Sequence, residues 1–276
     1  MRIGNYRVEI LPDSEFRLDG GAMFGVVPRV VWEESCAPDE LNRIRMNMNC
    51  LFVETATERI LVETGIGEKW SEDEAKRFGI FRERPFAETI REKTGYGPDD
   101  ISIVVNTHLH FDHAGGNTIL VDGRTVPQFR NARYLVSKSE YEAAENPTER
   151  DRASYRAENW RPLVESGQLE LMPDSYEVVE GLRLDQVRGH SATMQTVELT
   201  RGDQTLYGFA DLIPTTAHLP YAWIMGYDLF PLETLAAKKR LLPRAAAENW
   251  LCLFYHDFER PLCRLVQRES KIVIAD

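Results

Sequence analysis

Three of the six histidines lie in one short run that could bind a metal ion. The run is Asn106-Thr107-His108-Leu109-His110-Phe111-Asp112-His113. Because side chains alternate along a strand, His108 and His110 are expected to point the same way at the end of the apolar strand predicted over 101–105. The chain must then turn, which lets Asp112 and His113 face the same point. Such nitrogen and oxygen donors suit a borderline cation such as Zn²⁺.

The alternative to a metal site is a polar loop whose histidines cap a helix and contact water. For a single histidine this alternative would be the better explanation. Three histidines and an aspartate directly after an apolar strand favour a metal site instead.

The spacing His-x-His-x-Asp-His after a strand resembles the hallmark of the metallo-β-lactamase superfamily. Members of that superfamily carry three further ligands, which are a histidine after a glycine, an aspartate after a strand, and a histidine at the end of a later strand. In this chain His190 follows Gly189, Asp211 follows the predicted strand 205–209, and His256 follows the apolar residues 253–255. Matching residues thus extend over essentially the whole chain.

The resemblance implies a dinuclear metal centre and a metal-assisted hydrolase. Two close cations lower the pKa of a shared water, so that a hydroxide can attack a carbonyl or phosphoryl group at neutral pH. We expect Zn²⁺, and Mn²⁺, Fe²⁺ or Co²⁺ would accept the same ligands. Asp112 or Asp211 could carry the proton to the leaving group. The implied ligands are His108, His110 and His190 for one metal, Asp112, His113 and His256 for the second, and Asp211 as the bridge.

Each of the three later ligands has a structural alternative when it is considered alone. His190 could be a turn residue beside a glycine. Asp211 could cap a strand end, and His256 could be a buried histidine paired with Asp257.

Within the superfamily the chain looks most similar to the branch of N-acyl-homoserine lactone lactonases and methyl parathion hydrolases. The spacing of His190, Asp211 and His256 is similar to theirs. The resemblance implies a small neutral lactone or ester as substrate, with phosphotriester hydrolysis as a promiscuous side reaction. One departure is Pro214, because the acyl-homoserine lactonases carry a tyrosine three residues after the bridging aspartate.

Two segments are candidates for substrate contacts. The segment 213–227 is rich in aromatic residues and proline, so it could form the wall of an apolar pocket, core packing or a dimer surface. From it we select His218, Tyr221 and Trp223, although His218 could also be an exposed loop residue. The stretch 20–25, which contains Phe24, resembles the mobile N-terminal loop of this branch, and an ordinary hairpin turn is the alternative.

Two other functions compete with the lactonase hypothesis. A phosphodiesterase of the same superfamily would need a positive group near the metals, and Arg188 is the candidate. A non-hydrolytic iron-binding redox or sensor module would use the same ligands without turnover.

Composition and charge limit the partners. The formal net charge of −11 disfavours nucleic acid and anionic lipid. No stretch is apolar enough for a membrane helix, and charges and Pro12 interrupt the N-terminus, so we expect a cytoplasmic protein. The cysteines show no C-x-x-C pair and are expected to be free thiols. A homodimer is expected from the resemblance alone.

The chain is expected to form a single α/β domain over 1–276. The resemblance and the order of elements predict a four-layer αββα sandwich, with two mixed sheets flanked by helices. Predicted strands cover 7–18, 26–32, 49–55, 101–105, 169–171, 182–187, 196–199, 205–209 and 250–256. Predicted helices lie between 71 and 93, from Ser137, over 152–164, and from Pro231 to about Leu242.

Overall fold

A computed structural model describes residues 1–275 of the chain. These residues form two compact units. Unit 1 contains Met1–Ser14 and Met48–Tyr176, and unit 2 contains Glu15–Asn47 and the chain from Glu177 onward. The single domain over 1–276 stays a prediction.

The strands of the described residues are numbered in chain order. They are β1 (Arg2–Ile3), β2 (Tyr6–Asp19), β3 (Arg43–Glu54), β4 (Arg59–Val62), β5 (Ile103–Val105), β6 (Thr118–Val121), β7 (Arg124–Pro127), β8 (Arg133–Ser137), β9 (Leu169–Met172), β10 (Ser175–Val179), β11 (Leu182–Gln186), β12 (Gln195–Arg201), β13 (Gln204–Gly208), β14 (Leu251–Leu253), β15 (Leu262–Arg268) and β16 (Lys271–Ile274).

The helices are numbered in the same way. They are α1 (Gly20–Phe24), α2 (Arg29–Trp32), α3 (Glu72–Arg77), α4 (Phe86–Thr94), α5 (Phe111–Ala114), α6 (Lys138–Glu145), α7 (Arg161–Glu165) and α8 (Pro231–Ala247). None of the helices in residues 1–275 is long and apolar enough to cross a membrane.

Two large mixed sheets organise these elements. One has the strand order β1-β2-β3-β4-β5-β8-β9, and the other has the order β10-β11-β12-β13-β14-β15-β16. In the first sheet β4, β5, β8 and β9 run parallel. In the second sheet β13 and β14 are a parallel pair between antiparallel neighbours. A hairpin of β6 and β7 forms a separate small sheet.

Parallel strands carry polar residues to the sheet edge in each unit, because their carboxyl ends meet there. In unit 1, β4 leads directly to Glu63 and β5 leads to the run that contains His108. In unit 2, Gly208 of β13 is in register with Leu253 of β14. The residues that follow these two strands include Asp211 and His256.

The strand predicted over 26–32 is wrong, since residues 29–32 form helix α2. Pro28, in an extended conformation, precedes the first turn of this helix, and a proline there is compatible with helix initiation. Val26 and Val30 are 90% and 72% exposed, so the β-branched residues of this segment do not form a buried strand.

The helix predicted over 152–164 is also wrong in its extent. The segment contains two 3-10 turns, Arg152–Ser154 and Ala157–Asn159, and helix α7 begins only at Arg161. Tyr155 instead forms an isolated β-bridge with His110, which fixes extended backbone where the helix was expected.

Candidate metal centre

The histidine run of unit 1 folds as predicted into a strand end followed by a turn. Helix α5 begins at Phe111, with His110 as its extended N-cap residue. The ring centroid of His108 lies 4.5 Å from that of His110 and 4.0 Å from that of His113. These side chains and that of Asp112 are buried. Unit 1 therefore collects imidazole and carboxylate groups in a small buried volume, as divalent metals require.

The buried carboxylate of Glu63 forms hydrogen bonds to this run. Its Oε1 accepts a hydrogen bond from the backbone N–H of Thr107 at 3.1 Å, and its Oε2 accepts one from Asn106 Nδ2 at 3.3 Å. The same Oε1 lies 3.4 Å from Nδ1 of His113. Ligand atoms of Glu63, His108 and His113 lie within 4.8 Å of one another. A carboxylate in contact with a histidine Nδ1 orients the ring and leaves Nε2 for a metal.

A second buried acid holds the middle of the run. The backbone N–H of Leu109 donates to Oε1 of Glu140 at 2.8 Å. Helix α6 begins after Ser137 as predicted, and the Ser137 side chain accepts a hydrogen bond from the backbone N–H of Glu140. The carboxylate of Glu140 is not part of this cap, because it binds the histidine run. Tyr155 packs edge-on against His110, with ring centroids 4.8 Å apart.

Close backbone approach supports the turn after the ligands. A Cβ atom added to Gly115 would lie 2.1 Å from the carbonyl oxygen of Ile66. Since such a contact is impossible without a shift of the backbone, only glycine fits at this position.

In unit 2, Asp211 lies between two histidines. Its Oδ1 is 3.0 Å from Nε2 of His256, and its Oδ2 is 3.4 Å from Nε2 of His190. All three side chains are at least 93% buried. Asp211 sits in a 3-10 turn after β13, where Ala210 has a positive φ of 47°. The carboxylate thus presents one oxygen to each imidazole nitrogen.

The remaining nitrogen of each imidazole has an oxygen partner. Nδ1 of His190 lies 3.1 Å from Oδ1 of Asp228, and Nδ1 of His256 lies 3.1 Å from the carbonyl oxygen of Asn47. An N–H at each Nδ1 must donate to these oxygens, so Nε2 keeps the lone pair that a metal needs. The donor set of unit 2 therefore fits a divalent metal ion.

The residues of unit 2 that were predicted to contact substrate differ from the prediction in their local structure and burial. The stretch 20–25 contains helix α1 rather than a hairpin turn, because Asp19 accepts a hydrogen bond from Ala22 N at 2.8 Å and caps the helix. Phe24 is fully buried. Its ring stacks on His218, with centroids 4.6 Å apart, and meets Trp223 edge-on at 5.6 Å.

His218 is a buried residue, so the alternative of an exposed loop histidine is wrong. Its Nε2 donates to the carbonyl oxygen of Met23 at 2.9 Å, and Nδ1 accepts from the Thr215 hydroxyl at 2.8 Å. Burial lowers the pKa of His218 to about 3, which keeps the imidazole neutral. Tyr221 is partly buried against the apolar core of unit 2.

The supporting acids Glu63, Glu140 and Asp228 are not among the residues predicted from the sequence. Glu63 could have been found, because it directly follows a strand of the same parallel set as β5. Glu140 and Asp228 carry no sequence signal, since their partners are remote in the chain. All four cysteines are free, as predicted.

Comparison with known proteins identifies the family. Residues 44–221 match the sequence profile of the metallo-beta-lactamase superfamily. An N-acyl homoserine lactonase of Bacillus thuringiensis is 30% identical over 225 residues, which cover 76% of this chain and 81% of the relative. A second N-acyl homoserine lactonase, of Bacillus cereus, is 27% identical over 240 residues, covering 79% of this chain and 84% of that protein.

Solved structures show the same fold. A probable metal-dependent hydrolase from Staphylococcus aureus superposes with a TM-score of 0.91 and 28% identity, covering 100% of this chain and 99% of that one. The structure of an N-acyl homoserine lactone hydrolase, with its product N-hexanoyl-L-homoserine bound at the catalytic metal centre, superposes with a TM-score of 0.69 and 25% sequence identity. The match covers 94% of this chain and 96% of that one.

These matches confirm the predicted α/β fold class. They also confirm the predicted class of enzyme, which is a metal-dependent hydrolase. The two mixed sheets with their helices agree with the αββα sandwich. The chain belongs to the metallo-beta-lactamase superfamily, as a metallo-hydrolase related to the N-acyl homoserine lactonases.

Proposed function

We propose that this protein is a dinuclear metal-dependent lactonase that opens N-acyl homoserine lactones or closely related esters. The observation that carries the proposal is the pair of ligand sets, each already ordered by supporting oxygens within its own unit. The proposed ligands are His108, His110, Asp112 and His113 of unit 1, and His190, Asp211 and His256 of unit 2. The relatives named N-acyl homoserine lactonase support the substrate class.

The metal ions, of which Zn²⁺ is the first candidate, supply a hydroxide at neutral pH and polarise the scissile carbonyl when they are bound. Asp211 would hold the metal ions together with His190 and His256, because its two carboxylate oxygens face the Nε2 atoms of these two histidines. Asp211, or Asp112, then accepts the proton of the nucleophile and delivers it to the alkoxide that leaves when the lactone opens.

An aromatic cluster in unit 1 supports a substrate with an apolar part. Phe111, which lies between His110 and Asp112 in the sequence, has its ring centroid 5.4 Å from that of Trp70 and 5.5 Å from that of Phe78. All three rings are partly exposed. Accessible aromatic surface next to metal ligands is suited to an acyl chain or an aromatic ester.

Arg188 argues against the phosphodiesterase alternative. Its guanidinium pairs with Glu233 at 3.0 Å and lies 3.8 Å from the ring centroid of Phe230. A retained phosphodiester charge would have to compete with this carboxylate. A neutral phosphotriester needs no such cation, so promiscuous phosphotriesterase activity belongs to the proposal.

The test is hydrolysis by protein of known metal content. The panel contains short- and long-chain acyl-homoserine lactones, an aromatic lactone, a phosphotriester and a phosphodiester. We expect lactones to react fastest and the phosphotriester slowly. Turnover of the phosphodiester alone would overturn the substrate class, and iron-loaded protein without any turnover would support the redox or sensor alternative. The cytoplasmic location and the homodimer stay predictions.

A further inference from the structure

A buried ion pair of unit 1 joins strand β2 to a residue far along the chain. Nη2 of Arg82 donates to Oδ1 and Oδ2 of Asp13 at 2.8 Å and 2.9 Å, across 69 positions of sequence. The Asp13 side chain has no exposed surface, and that of Arg82 is 13% exposed. Burial raises the pKa of the Asp13 carboxyl, and the Arg82 guanidinium acts in the opposite direction. A buried ion pair adds little net stability compared with apolar side chains of similar volume, and its best-attested role is to specify one conformation.

The pair contacts each residue of the segment Gly65-Ile66-Gly67, which we call the glycine segment. Oδ2 of Asp13 accepts a hydrogen bond from the backbone N–H of Ile66 at 2.9 Å. Nη2 of Arg82 also donates to the carbonyl oxygen of Gly67 at 2.9 Å. A Cβ atom added to Gly65 would lie 2.3 Å from Oδ2 of Asp13, so the carboxylate lies directly against the backbone there. The position of the glycine segment therefore depends on the pair.

The glycine segment packs against the residues that follow the histidine run. Gly65 forms an isolated parallel β-bridge with Ala114, and its carbonyl oxygen accepts a hydrogen bond from the backbone N–H of Gly116 at 3.2 Å. A Cβ atom added to Gly67 would lie 2.3 Å from the carbonyl oxygen of Gly115. Such a close backbone approach requires glycine, and it leaves no room for one of the two segments to shift alone.

Helix α5, which ends at this contact, contains two of the proposed metal ligands, Asp112 and His113. The carbonyl oxygen of His113 accepts hydrogen bonds from the backbone N–H of Thr64 at 2.9 Å and from the Thr64 hydroxyl at 3.2 Å. Thr64 directly precedes the glycine segment. A continuous set of contacts therefore extends from the buried ion pair to the backbone of a proposed ligand.

We propose that Asp13 and Arg82 are positioning residues for the metal centre of unit 1, acting through the glycine segment on helix α5. The inference rests on the proposed function, because Asp112 and His113 of this helix are proposed ligands. Metal affinity depends on ligands that the protein holds in a fixed geometry. Loss of the pair should therefore weaken metal binding and alter the ligand geometry, although every ligand is still present.

The first test variant is Asp13→Asn. Both carboxylate oxygens accept hydrogen bonds, so an amide NH₂ in either position would face a donor. Asp122→Asn is the matched control, because Asp122 lies in the exposed turn between β6 and β7. The second variant is Arg82→Lys, which keeps a cation but loses the planar guanidinium. Its control is Arg133→Lys, at an exposed arginine of the same unit.

Two measurements separate an effect on helix α5 from an effect on the whole unit. Amide hydrogen exchange of the metal-free protein is followed at Thr64 and Gly116, whose N–H groups donate across the contact with the glycine segment or beside it. Tyr134, whose N–H donates to the carbonyl oxygen of Gln168 at 2.8 Å, is the reference amide in strand β8. Co²⁺ alone is then titrated into the protein, and its visible absorption reports both the affinity and the ligand geometry.

For Asp13→Asn we expect exchange at Thr64 and Gly116 to accelerate about tenfold more than exchange at Tyr134, because the local opening becomes easier. The affinity for one of the two Co²⁺ ions should fall about fivefold or more, below the loss typical of a carboxylate that touches a ligand. The absorption bands of the bound Co²⁺ should shift. Arg82→Lys should change both measurements in the same direction by a smaller factor, and the two control variants should match the wild type.

Equal acceleration at all three amides would overturn the proposal, because the pair would then stabilise unit 1 without positioning helix α5. Wild-type exchange or wild-type Co²⁺ binding in Asp13→Asn would overturn it as well. If Asp13→Asn does not fold, the same comparison on Arg82→Lys decides. If the wild type binds no Co²⁺, the proposed function fails, and exchange in the metal-free protein still decides whether the pair positions helix α5.

Discussion

His190 and Asp228 form a buried pair in which the imidazole Nδ1 lies 3.1 Å from the carboxylate Oδ1. The other oxygen of Asp228 accepts a hydrogen bond from the Thr234 hydroxyl at 2.6 Å. Helix α8 thus fixes the carboxylate, the carboxylate fixes the imidazole, and Nε2 of His190 is directed toward Asp211. A residue that binds no metal itself controls the orientation of a proposed ligand.

Asp228→Asn should therefore weaken metal binding without removing a ligand. Loss of such a supporting carboxylate typically costs roughly 10- to 100-fold in metal affinity. Competition with a chelator of known affinity measures the change, and Asp203→Asn, in the exposed turn between β12 and β13, is the control. Equal metal affinity in Asp228→Asn and the wild type would show that the pair does not orient His190.

Glu63→Gln should destabilise unit 1. An amide NH₂ in place of one carboxylate oxygen cannot accept from Thr107 N–H or from Asn106, so a buried donor loses its partner. Such a loss costs about 1–3 kcal/mol of unfolding free energy. Urea unfolding measures it, with Glu83→Gln at an exposed site as the control. A difference no larger than that of the control variant would contradict the role assigned to Glu63.

His218 makes stability depend on pH in a defined direction. Its folded pKa of about 3 lies below the ordinary value of 6.5, so the unfolded chain binds the proton first as the pH falls. The contribution is fully present above pH 6.5 and is lost progressively toward pH 3. Between pH 7 and pH 5 the loss from this group is about 2 kcal/mol.

His218→Gln should remove that part of the pH dependence. The difference in unfolding free energy between pH 7 and pH 5, measured at equal metal content, should shrink by about 2 kcal/mol. Because the imidazole is neutral at working pH, the variant should retain the shape of the pH–rate profile between pH 5 and pH 8. If one side of the pH–rate profile disappears in the variant, the result would show that His218 acts as an acid or base in the reaction.

Much of the fold and most of the proposed ligands could be predicted from local sequence. The run 106–113 combines an apolar strand with closely spaced donors, so its position at a sheet edge follows from strand alternation. Ser71 and Glu74 form a capping box at the start of α3, which lies in the region 71–93 where helices are predicted. Local patterns are sufficient where the partners are a few residues apart.

Other features depend on tertiary contacts that no local pattern encodes. The carboxylate of Glu140 accepts a hydrogen bond from the backbone N–H of Leu109, which lies 31 residues earlier in the chain. The ammonium group of Lys238 donates to backbone carbonyls that lie 15 to 20 residues before it. Residues 152–164 have helical composition, but the pairing of Tyr155 with His110 holds the backbone extended. Pro243 would be expected to end a helix, yet α8 continues through it to Ala247.

The most direct test of the dinuclear site is the metal content and lactone turnover of Asp211→Ala beside the wild type. We predict two metal ions per chain in the wild type. For the variant we predict one metal ion and turnover lower by about a thousandfold, equivalent to about 4 kcal/mol of barrier. Asp203→Ala should behave as the wild type. An Asp211→Ala protein that keeps two metal ions and full turnover would contradict the account.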